Sequence, residues 1–244
     1  VSAPVFLIEA ARLTADRVVL DGPEGRHAVT VRRLRPGERV DLTDGAGLLA
    51  EGVVAAVEGK DRLVVDVLAR HRHDPPSPRL VVVQALPKGD RGELAVETMT
   101  EVGVDEIVPW QAARSITRWR ADRKDKALAR WRSTAREAAK QSRRSRLPEV
   151  ADLADTARVA ARLSAAARAL VLHEQASVPL RAVDLPATGD IVVVVGPEGG
   201  ITDEELDLFT ESGAVPVRLG PTVLRTSTAG VAAAAVLLSA TGRW

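Results

Sequence analysis

The sequence predicts an α/β protein of two domains: a small N-terminal β-barrel, then a larger domain built on a mostly parallel sheet. Three observations carry this. The first third alternates in the manner of short strands broken by Gly- and Asp-rich turns. The segment His71-Arg-His-Asp-Pro-Pro-Ser-Pro78 then interrupts every pattern, because three prolines in four residues fit neither a helix nor a central strand. Beyond it, apolar strands alternate with helices, which implies parallel strands covered on both faces.

The elements follow in order. Pro4–Ile8, Arg39–Thr43, Leu48–Val57 and Arg62–Ala69 read as strands, with turns at Asp44-Gly45 and Glu58-Gly59. Their Val53, Val54, Val57, Val64, Val65 and Val67 are β-branched residues suited to a pleated, half-buried surface. A boundary near Asp74 divides the chain into 1–74 and 75–244. Arg79–Leu86 is a strand. Glu93–Val102 is a helix with Ala95, Met99 and Val102 on one face and Gly103 as its stop. Glu106–Trp110 is a strand. Lys126–Ser142 is a helix whose inner face is Leu128, Trp131, Ala135, Ala138 and Ala139. Arg168–Leu172 and Asp190–Val195 are strands buried on both sides. Thr202 and Glu205 form a capping box that opens a helix to Ser212, closed by Gly213. Ala214–Leu219 is a strand and Ser227–Ala240 an Ala-rich helix.

Composition narrows the function. Hydrophobic residues make up 45%, enough for a sizeable core, but aromatics are only 2%, with no Tyr. A surface that stacks many bases on rings is therefore not expected. The absence of Cys excludes disulfides, thiolate metal sites and a Cys nucleophile, and it suits a reducing cytoplasm. Four His with no convincing ligand spacing suggest no metal. No apolar run reaches a membrane span, and no basic-then-apolar signal pattern opens the chain. The net charge of +1 conceals an asymmetry: residues 114–146 hold 13 basic and 3 acidic side chains, while each of the other stretches is mildly acidic. Such a segment concentrates polyanions, which points to nucleic acid; the plainer alternative is a solvated helix face.

The chemistry concentrates at strand ends. In Val193-Val-Val-Gly-Pro-Glu-Gly-Gly-Ile-Thr202 a buried strand runs into a glycine turn and a capped helix. The spacing matches neither a dinucleotide fingerprint nor a Walker loop. In Leu219-Gly-Pro-Thr-Val-Leu-Arg-Thr-Ser-Thr-Ala-Gly230 a strand again ends in Gly-Pro, with Arg225 the only charge before the Ala-rich helix. A third strand ends at Leu172-His173-Glu174. Ligands of parallel sheets bind beyond the carboxyl ends of strands. Three such ends would line one crevice, suited to a flat, partly polar ligand such as an adenosine.

Gly196-Pro-Glu-Gly-Gly-Ile-Thr, followed by Leu219-Gly-Pro, Leu224-Arg-Thr and Thr228-Ala, closely resembles the bacterial 16S rRNA uridine N3-methyltransferases of the SPOUT class. The resemblance spans nearly the whole chain: His27-Ala-Val-Thr-Val-Arg-Arg-Leu-Arg-Pro-Gly, Lys88-Gly-Asp-Arg, Glu97 with Glu101-Val-Gly-Val, Arg114-Ser115, Glu137-Ala-Ala-Lys-Gln-Ser-Arg-Arg and Leu147-Pro148. It implies a PUA-like, RNA-binding N-terminal barrel and a C-terminal domain with a deep trefoil knot at about 170–240. It implies S-adenosylmethionine bound by Leu172, His173, Glu174, Gly196, Pro197, Glu198, Gly199, Gly200, Leu219, Gly220, Leu224, Arg225, Thr226, Ser227, Thr228 and Ala229. It implies a cytoplasmic homodimer paired through its knots and acting on the small ribosomal subunit.

Within that resemblance, Arg225 is the choice for stabilising a uracil anion, and Glu198 is either a catalytic carboxylate or a brace for the glycine loop. His27, Arg32, Arg33, Lys88, Arg114, Arg136, Arg143 and Arg144 are expected to contact RNA phosphates. The chain departs from the family at Ser227 and Lys140, where Glu is common, and at Arg143, where Gly is. No carboxylate role can be carried over to Ser227. Two competing readings are another SPOUT enzyme, acting on a ribose 2′-hydroxyl or a tRNA base, and a non-catalytic rRNA-binding assembly factor.

Overall fold

The computed structural model describes residues 3–244, with the side chains of residues 121 and 122 left aside. The chain forms two compact units, residues 1–75 with 139–147, and residues 76–138 with 148–244.

The first unit is a five-stranded sheet of β1 (Val5–Leu7), β2 (Arg17–Leu20), β3 (Arg39–Thr43), β4 (Leu48–Glu58) and β5 (Arg62–Arg72), in the order β1-β3-β4-β5-β2. The β1–β3 pair is parallel and the rest antiparallel. Inward positions such as Phe6, Leu20, Leu42, Val54 and Leu63 make one core. The long hairpin bends at register shifts beside Gly52 and Val54. Gly52 lies against Val65, and a Cβ there would come within 2.4 Å of its side chain.

The first unit departs from the sequence pattern in several places. The last strand continues through Arg72, pairing Leu48 with Arg72 and Leu49 with His71, so the Pro-rich linker begins later than the sequence pattern suggested. Val18 and Leu20 carry an unexpected strand, too short to show a period. Gly22–Arg26, which forms the short helix α1, leads into a wider turn over His27–Val31, closed by Arg32 N–H to the His27 carbonyl at 2.8 Å. Residues 139–147, assigned by sequence to the second domain, pack with the first. Their backbone explains it: the Ser145 carbonyl accepts from Gly47 N–H at 2.9 Å and from Thr43 Oγ1 at 3.0 Å.

The second unit is a seven-stranded sheet, parallel throughout: β6 (Arg79–Ala85), β7 (Glu106–Trp110), β8 (Glu149–Val150), β9 (Arg168–Leu172), β10 (Val178–Pro179), β11 (Asp190–Val195) and β12 (Val215–Arg218). Their order is β10-β12-β9-β11-β6-β7-β8. Alternate strand residues feed two cores. Leu80, Val82, Ile191 and Val193 meet α2 (Arg91–Val102), α3 (Ala121–Gln141) and α6 (Thr226–Ala240). Val81, Val83, Val192 and Val194 meet α4 (Thr156–Ala165) and α5 (Asp203–Glu211). The α/β class with helices on both faces of a parallel sheet is as the sequence predicts.

Leu128, Trp131, Ala135, Ala138 and Ala139 are all buried, as the helical spacing requires. That helix begins earlier than Lys126, in a polar stretch without apolar period, where Lys124 N–H reaches the Arg120 carbonyl at 2.8 Å. The helix α4 went unpredicted, although Asp155 caps it by accepting from Arg158 N–H at 2.8 Å and Val159 and Leu163 give its buried face. At α6, Gly230 lets the helix approach α2 closely; a Cβ would sit 2.8 Å from the Met99 sulfur.

One charge in the first unit works against its own fold. Asp41 on β3 pairs in register with Glu51 on β4. Burial, then the Glu51 charge, raises the Asp41 carboxyl above its usual range, opposed by Arg39, Arg143 and His71. The folded state therefore holds a proton that the unfolded chain releases, so stability falls as pH climbs from the unfolded carboxyl value of about 4 through the raised folded one. Asp41→Asn is expected to raise the unfolding midpoint at neutral pH by a few degrees. The gain should close as pH drops below about 4, which thermal melts across pH will check.

Candidate active site

The neighbours β12, β9 and β11 run parallel, so their carboxyl ends open at one edge of the sheet. The three loops that leave them line a cleft of about 780 Å³ in the second unit. Every residue expected to hold the cofactor lines it, except Ser227 and Thr228. Ser227 is buried behind the first turn of α6 and Thr228 faces away, its hydroxyl bonded to the Arg225 carbonyl at 3.2 Å. Arg114, Arg218, Ile201 and Asp203 join the lining, which sequence spacing did not reveal.

Each loop is fixed by hydrogen bonds that are legible only in three dimensions. After β9, His173 N–H donates to the Val217 carbonyl at 2.9 Å, and its Nδ1 accepts from Gln175 N–H at 3.3 Å, so the ring meets the loop as an acceptor. After β11, Gly200 takes a left-handed φ of +77° and donates to the Pro197 carbonyl at 2.9 Å. Gly199 packs on Arg114, where a Cβ would lie 3.0 Å from the arginine Cβ. The Arg114 guanidinium donates to the Gly199 carbonyl at 3.3 Å. Glu198 accepts from Lys88 N–H at 3.1 Å, joining the glycine loop to the segment that follows β6.

The capping box at the head of α5 forms as its sequence indicates: Thr202 Oγ1 accepts from Glu205 N–H, and Glu205 Oε2 from Thr202 N–H, each at 3.2 Å. Glu205 does more than its spacing shows. It is buried, and its second oxygen accepts from Ala113 N–H at 2.8 Å and from Thr156 Oγ1 at 3.1 Å. One carboxylate thus joins the helix behind the glycine loop to the segment bearing Arg114. The exposed neighbour Glu204 titrates below its ordinary range, held chiefly by its own backbone N–H, then by the Thr202 hydroxyl, with the Arg114 charge adding.

Arg225 caps α6 through its carbonyl, which accepts from Thr228 and Ala229 N–H at 2.9 Å, and its side chain is exposed at the cleft. Gln84, buried near the carboxyl end of β6, donates to the Thr226 carbonyl at 3.3 Å and so ties the first turn of α6 to the sheet. Beyond Leu219, Gly220 faces open space, with no atom within 4 Å of a would-be Cβ.

The residues expected to meet RNA do not gather at this cleft. Only Arg114 lines it. Lys88 is exposed beside it, its backbone bonded to the lining residue Glu198, and Arg136 is exposed elsewhere in the second unit. His27, Arg32, Arg33, Arg143 and Arg144 belong to the first unit.

Comparison with known proteins agrees with this architecture. A family described as RNA methyltransferase domain matches residues 74–238, and one described as RNA methyltransferase PUA domain matches residues 20–68. Ribosomal RNA small subunit methyltransferase E from Mycobacterium bovis is 48% identical, over 99% of this chain and 94% of its own length. Its Bacillus subtilis counterpart is 32% identical, over 86% of this chain and 85% of its own. The structure of ribosomal RNA small subunit methyltransferase E from Neisseria gonorrhoeae bound to S-adenosyl methionine superimposes with a TM-score of 0.84 at 28% identity, covering 98% of each chain. With an RNA methyltransferase domain over most of its length and a PUA domain before it, the chain belongs to the ribosomal RNA small subunit methyltransferase E family.

Proposed function

We propose that the chain methylates N3 of a uridine in 16S rRNA, using S-adenosylmethionine held in the cleft of the second unit. The observation that carries this reading is the cleft itself. Three adjacent parallel strand ends converge on it, and one arginine is exposed at the head of the following helix. Its volume falls within the range of about 300–1,000 Å³ usual for small-molecule sites. Its walls suit an adenosyl group: glycine turns present backbone groups at Gly196–Gly200, open space adjoins Gly220, and Leu172, Leu219 and Leu224 supply apolar contact.

When bound, the cofactor supplies a methyl group already activated on a positively charged sulfur, so the protein has mainly to position and desolvate. The uridine must lose its N3 proton; the electron pair left on N3 would form the bond to the methyl carbon as the carbon–sulfur bond breaks, its pair remaining on sulfur as a neutral thioether. Arg225 favours that anion by donating charge-assisted hydrogen bonds to a uracil carbonyl oxygen, while the proton departs to water. Glu198 acts as a positioning residue, because one of its oxygens already accepts from Lys88 N–H. Ser227, buried behind the helix turn, takes no part in proton transfer. The base enters unstacked from its neighbours.

The C-terminal segment follows a knotted path in this reading. Its support is that α6, leaving β12 near one end of the sheet, packs back across β11 and β6 and against residues 180–182. Two chains pair through the same region. There Val231, Ala232, Ala235 and Val236 of α6 stay only partly buried and Val223 is exposed.

Incubation with methyl-labelled S-adenosylmethionine and unmodified small ribosomal subunits, followed by mapping of the product, tests the assignment. Label on a uridine N3 of 16S rRNA is expected. Label on a ribose or on tRNA would point to another enzyme of the class, and no transfer at all to an assembly factor. Arg225→Ala is expected to keep the fold and cofactor affinity, read by calorimetry, and to lose at least about 100-fold in kcat. Undiminished turnover in that variant would remove Arg225 from the mechanism.

A further inference from the structure

We propose that the first unit contains a seat for one RNA backbone phosphate, formed by Arg32, Arg143 and His27. The inference rests on the reading of the chain as an rRNA-binding enzyme and assigns one contact within it. A hollow of about 70 Å³ is lined by Pro4, Phe6, His27, Arg32, Lys140 and Arg143 among others, all from the first unit. It is far smaller than a nucleobase or cofactor pocket.

The floor of the hollow is neutral. Lys140 is buried, with its ammonium on Glu24 Oε1 at 3.0 Å, and Glu24 Oε2 takes Leu7 N–H at 3.4 Å. Attraction for an anion therefore falls to the two arginines at the rim. The His27 ring, also in the lining, meets Phe6 edge-on, with centroids 5.6 Å apart and planes at 75°. Asp41, which interacts electrostatically with Arg143, lies outside the lining.

The backbone gives the independent observation. Among the described residues, only Arg33 and Arg143 combine a side chain with a left-handed φ, +56° and +57°. Arg143 follows the end of α3, where Arg143 N–H reaches the Lys140 carbonyl at 3.2 Å and Arg144 N–H the Ala139 carbonyl at 2.9 Å. Glycine fills that position without strain, whereas an L side chain crowds its own carbonyl. Arg33 follows Arg32 at the close of the wide turn after α1. The strained Arg143 thus lines the hollow itself, and the strained Arg33 directly follows the other lining arginine, Arg32. Strain kept at non-glycine positions is characteristic of binding sites. Arginine also suits a phosphate, whose oxygens match its paired donors.

The test sets stability against affinity in the full-length protein. Arg143→Gly is expected to raise the unfolding temperature, because strain is relieved, yet to weaken binding of an unmodified 16S rRNA transcript about tenfold at about 50 mM salt. Arg143→Asn, which also tolerates the left-handed backbone, should weaken it equally. Arg32→Ala and Arg143→Gly combined should lose less than the product of the single losses. The slope of log affinity against log salt should fall by about one phosphate, or roughly 0.7–0.9. Unchanged RNA affinity in Arg143→Gly, or fully independent losses in the pair, would overturn the seat. So would a result in which inorganic phosphate raises the wild-type melting temperature while RNA binding ignores both arginines, since the hollow would then hold free phosphate only. Failure of the wild-type protein to methylate rRNA would instead sink the assigned reaction and leave these binding comparisons readable.

Discussion

The adjacency of β12, β9 and β11 is the constraint on which the site depends. Parallel strands end at the same edge only if each connection returns the chain to the opposite edge. Loops that follow Leu172, Val195 and Arg218 meet because the strands between them share a register, with Val171 beside Val194 and Leu172 beside Val217. The sheet places these loops but does not stiffen them. That falls to a few buried polar groups. Glu205 holds the Arg114 segment and the head of α5 together, Glu198 joins the glycine loop to the residues after β6, and Gln84 reaches the first turn of α6. A buried carboxylate is tolerable only when its lone pairs are used, and Glu205 uses both oxygens. The cleft is therefore preformed by contacts distant in sequence.

How much of this could be read from the chain follows from the range of each interaction. Elements whose signal is local were legible: the capping box at Thr202 and Glu205, the inner face of α3, and the apolar runs of β6, β9 and β11. Short or weakly periodic elements were not. A four-residue strand such as β2 has no room for a period. The cleft residues were legible where glycine and proline mark a strand end, and the resemblance supplied the rest. Ser227 and Thr228 show the limit of that carry-over. They belong to the motif by position, yet helical geometry turns one into the interior and the other away from the cleft. Arg114 shows the converse. As one cation in a basic stretch it suggested RNA, but packing against Gly199 makes it part of the cleft wall.

The fold also changes what the basic stretch can do. Its surplus of positive charge looks like a single patch when residues are counted along the chain. Folding disperses it. Arg130 pairs with Glu93 and Arg132 with Asp152. Lys140 is buried on Glu24, and Arg146 spends its donors on the His73 and Asp74 carbonyls. Leu128 and Trp131 on α3 are committed to the core of the second unit, whereas residues 139–147 belong to the first. Long-range attraction of a polyanion depends on the summed charge and survives this dispersal. Register on the RNA does not, because it needs a few cations held at fixed positions. Where the chain accepts left-handed backbone to hold an arginine, as at Arg143, it gives up stability for position, and a solvated helix face would have no reason to do so.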